Sequence, residues 1–89
     1  MPFEFFISEK LEKTLNKLGK KDIQLATNLS KKIQQIINSD IETINHFKNL
    51  KSPLNHLKRV HVGSFVLTFQ FKNNSIIFED FVHHDKAYS

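Results

Sequence analysis

The stretch from Phe65 to Phe71 alternates without a break, with Phe65, Leu67, Phe69 and Phe71 on one parity and Val66, Thr68 and Gln70 on the other. Successive side chains on a strand point to opposite faces, so this pattern specifies a strand with one strongly apolar face; helical periodicity would scatter the phenylalanines. Turn chemistry brackets it. Gly63-Ser64 comes before, and Lys72-Asn73-Asn74-Ser75 follows, with asparagines that tolerate positive φ. Ahead of the first turn, Val60 and Val62 alternate with Arg59 and His61; beyond the second, Ile76 to His83 again reads as a strand. The spacing predicts strand, turn, strand, turn, strand.

A sheet with one apolar face needs a cover, and the first half of the chain supplies it. Phe3 to Ile7 reads as a short leading strand, and Ser8 is placed to cap a helix. Leu11, Leu15 and Leu18 fall at helical spacing, with Gly19 as the expected stop. A longer helix starts near Lys20 to Asp22, with Ile23, Ala26, Leu29, Ile33, Ile36 and Ile37 on one face and Lys31, Lys32 and Gln35 turned away. Ser39 and Glu42 have capping-box spacing, which predicts an extra helical turn between Ser39 and Phe47; Lys48 to Asn55, with Pro53, reads as a loop. The predicted fold class is α+β: two N-terminal helices packed on one face of a four-stranded, mainly antiparallel sheet, in the order β-α-α-β-β-β. At 89 residues, 39% hydrophobic and with nine Phe, the chain can bury one modest core and not two, so residues 1–89 are read as a single domain.

The chain has no cysteine, which excludes disulfides and thiolate chemistry and fits a reducing compartment. No apolar run approaches a membrane span, and Met1-Pro2-Phe3-Glu4 lacks the basic start of a signal peptide. A cytoplasmic protein with no membrane partner is expected. The formal charge is +4, and it is unevenly spread. From Thr43 to Phe78 there is no carboxylate, while Lys48, Lys51, Lys58, Arg59 and Lys72, with His46, His56 and His61, fall in the same run. An anionic partner would meet little repulsion there.

Several kinds of chemistry find no support. With two Gly in all, there is no phosphate-cradling loop. His83-His84-Asp85 could touch a metal, but neighbours on a strand point to opposite faces, so no metal and no other cofactor is expected. What remains is acid–base chemistry on a bound phosphodiester. RNA carries its own nucleophile, the 2′-hydroxyl; a protein must supply a proton acceptor, a proton donor and cations. Histidine suits proton transfer near neutral pH, and Tyr88 can act as an acid or stack on a base. Lys51, Lys58, Arg59, His61 and Lys86 are the candidate contacts to an RNA backbone. The blander reading of Arg59 and His61 is a solvated sheet face, and of His83 and His84 an exposed tail. Composition and spacing alone stop at a small basic α+β domain.

The order of motifs goes further. Leu50-Lys51-Ser52, then Leu57-Lys58-Arg59-Val60-His61-Val62-Gly63-Ser64-Phe65, then Ile76-Ile77-Phe78, then Val82-His83-His84-Asp85-Lys86-Ala87-Tyr88 resembles the RelE/ParE superfamily of toxins from type II toxin–antitoxin systems. Members typically carry Leu-Lys-Gly, a Tyr-Arg-x-Arg-x-Gly-x-Tyr-Arg stretch, and a tail like His-Arg-x-x-x-Tyr. The resemblance implies a ribosome-dependent mRNA interferase partnered by a RelB-like antitoxin. By position it implies that Arg59 and His61 grip the RNA backbone, that His84 assists the leaving group, that His83 matches a tail histidine, and that Tyr88 stacks on or activates the substrate. The catalytic set so implied is Arg59, His61, His83, His84 and Tyr88. The departures are Ser52 for Gly, Phe65 for Tyr and Val66 for the following Arg. A missing cation at Val66 implies reduced cleavage, which Val66→Arg would raise. The alternative is a non-catalytic or degenerate member that binds its antitoxin or DNA gyrase.

Overall fold

In the computed structural model, which describes residues 2–87, a short strand β1 (Glu4–Ile7) leads into helices α1 (Glu9–Lys21), α2 (Ile23–Ile37) and α3 (Ile41–His46). Strands β2 (Lys58–Val62), β3 (Phe65–Lys72) and β4 (Ser75–His83) follow, and a single turn, α4 (His84–Ala87), ends the described chain. The four strands form one sheet in the order β1-β4-β3-β2. The β2-β3 and β3-β4 pairs are antiparallel, whereas β1 pairs with β4 in parallel. The sheet is therefore mixed: an antiparallel β2-β3-β4 meander with β1 added in parallel alongside β4. Among the described residues no helix is long and apolar enough to cross a membrane.

Both hairpin turns form where expected. Gly63 sits at φ +61°, and Asn73 and Asn74 at 52° and 63°, the left-handed region that Gly and Asn enter most readily. The Ser8 hydroxyl accepts a hydrogen bond from the Leu11 N–H at 3.0 Å and donates to the Glu79 carbonyl, which fixes the start of α1 against β4. Gly19 does not stop that helix. Asp22 does, its N–H donating to the Leu18 carbonyl at 2.8 Å while its carboxylate accepts from the Leu25 N–H at 3.1 Å. One residue thus ends α1 and caps α2, which leaves no room for a glycine turn. Likewise Asp40 and not Ser39 caps α3, accepting from the Thr43 N–H at 2.8 Å; the Ser39 hydroxyl turns back to the Ile36 carbonyl.

The core lies between α1, α2 and one sheet face. Leu11, Leu29, Ile33, Ile36 and Ile44 meet Leu67, Phe69, Ile76, Phe78 and Phe81 there. Ile23, which shares the predicted apolar face, is instead 69% exposed at the first turn of α2. Phe78 and Phe81 are both in the core although an odd spacing separates them. Their register explains this: Phe69 faces Phe78 while the adjacent Thr68 faces Asp80, so Glu79 is an extra residue at a β-bulge.

Leu29→Ala should lower the unfolding free energy by roughly 2–5 kcal/mol, because it empties a fully buried site, whereas Ile23→Ala should stay within about 0.5 kcal/mol. Urea unfolding checks this, and equal losses would contradict the assigned packing. A second expectation concerns acid. Hydrogen bonds from the Thr43 side chain, and then from its N–H, hold the Asp40 carboxyl below the usual carboxylate range. A carboxyl lowered by folding stabilises above its unfolded pKa, and that stabilisation is lost as pH falls through the folded value. The protection factor of the Ile44 amide, which corrects for the intrinsic slowing of exchange in acid, should therefore fall on acidification, and Asp40→Asn should remove the dependence. An identical acid response in Asp40→Asn would contradict it.

Candidate functional site

The face of the sheet opposite α1 and α2 carries two of the predicted basic residues, Arg59 and His61. Val60 packs towards the core, so Arg59 and His61 project the other way. Strand register arranges this open face in rows. Arg59, Thr68 and Asp80 form one row; His61, Val66 and Val82 form the next. A third position follows at the β2-β3 turn, where His84 meets Ser64. Its backbone N–H donates to the Ser64 carbonyl at 2.9 Å, and its ring Nδ1 lies 3.2 Å from the same oxygen. A carbonyl can only accept, so Nδ1 carries the proton in that contact.

The tail is more ordered than a frayed end. His84 Nε2 stands 2.9 Å from Asp85 Oδ1, and His83 Nδ1 stands 3.5 Å from Asp85 Oδ2. The Asp85 N–H also points at His83 Nδ1, at 3.3 Å. The two imidazole centroids are 4.6 Å apart. The strand ends at His83 and the helical turn begins at His84, so strand alternation does not separate these rings. His83 keeps core-side parity and packs edge-on to Phe65 at 5.4 Å, while His84 is exposed.

The structure thus brings Arg59 and His61 onto one face and His84 to its turn end. Lys58 is elsewhere: its ammonium reaches the Phe47 carbonyl at 3.3 Å and Asn49 Oδ1 at 3.2 Å, tying down the 48–57 loop on the core side. Lys51 is exposed in that loop and Lys86 is exposed on α4. Tyr88 lies outside the described residues. Val66 is fully buried on this face, so the valine itself offers nothing to a ligand.

Two features escaped the sequence. The carboxylate-free run of chain is not a carboxylate-free surface, because Asp80 shares the Arg59 row and pairs with Lys10 of α1 at 3.0 Å. Gln70 donates to Glu79 Oε1 at 2.9 Å in the same region. The readable signal was the Phe78-x-x-Phe81 spacing, which plain alternation cannot bury and a bulge can. The meeting of His83, His84 and Asp85 was the other: the sequence offers the three as metal contacts and strand alternation argues against them because neighbours point apart, but the strand ends at His83. The concavities lined by Phe3 with residues 38–43, and by Ile23, Ala26 and Lys31 of α2, contain none of these side chains. The candidate site is an unenclosed surface on which Arg59 and the histidines stand with Asp80 and Asp85, suited to a polymer strand more than to an enclosed small molecule.

No family model matches the chain. A protein of Methanocaldococcus jannaschii named "Putative toxin RelE4" is 42% identical over 89 residues, covering 97% of this chain and 90% of that protein. Among solved structures, YafQ from E. coli superposes with a TM-score of 0.74 at 14% identity, over 98% of this chain and 99% of YafQ. The toxin–antitoxin complex RelBE2 from Mycobacterium tuberculosis contains a chain that superposes with a TM-score of 0.68 at 14% identity, over 94% of this chain and 100% of that one. At such identities the structural likeness speaks to the fold, which the two share with this chain; the closer sequence relative speaks to the family. The chain belongs to the RelE-like toxins of toxin–antitoxin systems.

Proposed function

We propose that this toxin cleaves mRNA on the ribosome by acid–base chemistry, with His84 as the central proton carrier. The observation that supports this reading best is the double anchoring of the His84 ring. Nδ1–H is directed at the Ser64 carbonyl and Nε2 at Asp85, at the end of the face that carries Arg59 and His61. A ring oriented on both sides keeps its tautomer and direction, which proton transfer requires.

In the proposed reaction the RNA 2′-oxygen attacks phosphorus and the bond from phosphorus to the 5′-oxygen breaks. The 2′-hydroxyl proton passes to a base, for which His61 is the exposed histidine on the same face. His84 in its imidazolium form, paired with Asp85, gives its proton to the departing 5′-oxygen. The products are a 2′,3′-cyclic phosphate and a 5′-hydroxyl. Arg59 binds phosphate and offsets charge in the transition state, and Tyr88 stacks on a base. No step needs a cofactor. With buried Val66 where the family pattern has an arginine, the reaction is slower than in members that keep that cation, on the order of 10²–10³-fold.

The antitoxin partner is part of the same proposal. RelBE2 is a toxin–antitoxin complex, and this chain offers a net charge of +4 with its carboxylates concentrated outside residues 43–78. An acidic antitoxin segment lying along that surface would be bound partly by charge, so its dissociation constant should rise with added salt. Affinity unchanged between low and high ionic strength would contradict an electrostatic contribution.

Induced expression followed by primer extension on a translated mRNA tests cleavage. Arg59→Ala and His84→Gln should each lower cleavage by on the order of 10²-fold or more, the usual worth of a positioned acid or charge stabiliser. Full toxicity in the Arg59→Ala, His84→Ala, Tyr88→Ala triple variant would overturn the catalytic assignment and leave a protein that acts by binding alone.

A further inference from the structure

The junction of β4 and α4 places three metal-capable side chains together. One ligand atom each from His83, His84 and Asp85 lies within 4.8 Å of the other two. Among the described residues no second group of three His, Cys, Asp or Glu side chains comes as close. We propose that His83, His84 and Asp85 form a binding site for a divalent transition ion of the Zn²⁺ class. Two imidazoles and one carboxylate are a donor set for Zn²⁺ and Cu²⁺; Mg²⁺ and Ca²⁺ prefer shells of oxygen.

Local geometry supports the site independently of the residue types. With its Nδ1 proton on the Ser64 carbonyl, neutral His84 has its lone pair on Nε2, and that lone pair faces Asp85 Oδ1 at 2.9 Å. Two acceptors at such a distance repel unless positive charge lies between them, as a proton or as a metal ion. A backbone carbonyl on the non-ligating nitrogen is also how proteins commonly orient a metal-binding imidazole. Tetrahedral donors at 2.0–2.1 Å from a metal stand roughly 3.3 Å from one another. His84 Nε2 stands 2.9 Å from Asp85 Oδ1 and His83 Nδ1 3.5 Å from Oδ2, each near that value but to a different oxygen of the carboxylate, so a small rotation of the Asp85 side chain would present one oxygen to both rings. A metal on His83 Nδ1 would displace the weak contact from the Asp85 N–H, at 3.3 Å, and would take the place of a proton between that nitrogen and Asp85 Oδ2.

The three side chains are 40, 47 and 76% exposed, so the remaining coordination position opens to water or to an anionic group. Exposure also keeps the affinity modest. The ion would occupy the Nε2 lone pair used for proton transfer in the proposed cleavage, so on that reading loading inhibits the toxin. The metal site itself does not depend on that reading.

Titration of ZnCl₂ into the untagged full chain by calorimetry, at neutral pH and without RNA, tests the site. One ion per chain should bind with a dissociation constant on the order of micromolar. His84→Gln and Asp85→Asn should each weaken binding by about tenfold or more, and His56→Gln, in the distant loop, should not. Long-range ¹H–¹⁵N spectra of the histidines should show Zn²⁺ shifting a ring nitrogen of His83 and Nε2 of His84, with His46, His56 and His61 unmoved. Absence of stoichiometric binding, equal affinity in His84→Gln, or first shifts at His46, His56 or His61 would overturn the proposal; a proton alone would then hold the His84–Asp85 pair. RNA cleavage is not read in either measurement, so loss of the metal site and loss of the catalytic reading are distinguishable.

Discussion

One extra residue in β4 organises the second half of this protein. Glu79 has no counterpart on β3, and the bulge it creates reverses side-chain parity beyond Phe78. Phe81 then joins Phe78 in the core, and Asp80 and Val82 turn to the open face. Without the bulge, Asp80 would point at the helices and the core would have to accept a carboxylate, at a cost of several kcal/mol. The same reversal decides where the tail begins. His83 finishes the strand on the core side against Phe65, and His84 starts a new turn beside Ser64. The tail histidines are therefore positioned by a packing requirement four residues back along the strand, about 13 Å at roughly 3.3 Å per residue.

Much of the fold was legible in the sequence, for simple reasons. The Phe65-to-Phe71 alternation and the two turns left little choice for the meander, and Ser8 capped α1 as its side chain suggested. The errors have local causes. Gly19 was read as a stop because glycine favours helix ends, but Asp22 ends one helix and starts the next, and that arrangement overrides propensity. Ile23 fits the helical period yet sits in the first turn of α2, beyond the reach of the sheet. The parallel pairing of β1 with β4 depends on the whole helical crossover and has no local signature.

The site was half legible. Parity was enough to place Arg59 and His61 on the open face. Lys58, of the other parity, proves to be a loop tether. Neither the return of His84 onto Ser64 nor the placing of Asp80 in the Arg59 row, across Thr68, was visible, because both follow from the bulge. The ion pair of Lys10 with Asp80 is largely exposed on the lysine side, and such pairs are worth little in stability, about 0–1 kcal/mol. Its effect is on local charge, since it brings an ammonium to the carboxylate that shares a row with Arg59. Order at the tail comes chiefly from backbone: the Ser64 carbonyl accepts from both the N–H and the ring of His84.

The central claim is that a histidine-based acid–base site on the open face cuts RNA through its own 2′-hydroxyl. End-group analysis of fragments from ribosome-bound mRNA, incubated with the purified chain in the presence of EDTA, measures this most directly. The account predicts fragments ending in a 2′,3′-cyclic phosphate, with a 5′-hydroxyl on the downstream partner, formed without added metal. Fragments bearing 5′-phosphates, or mRNA that stays intact while translation or DNA topology is impaired, would contradict it.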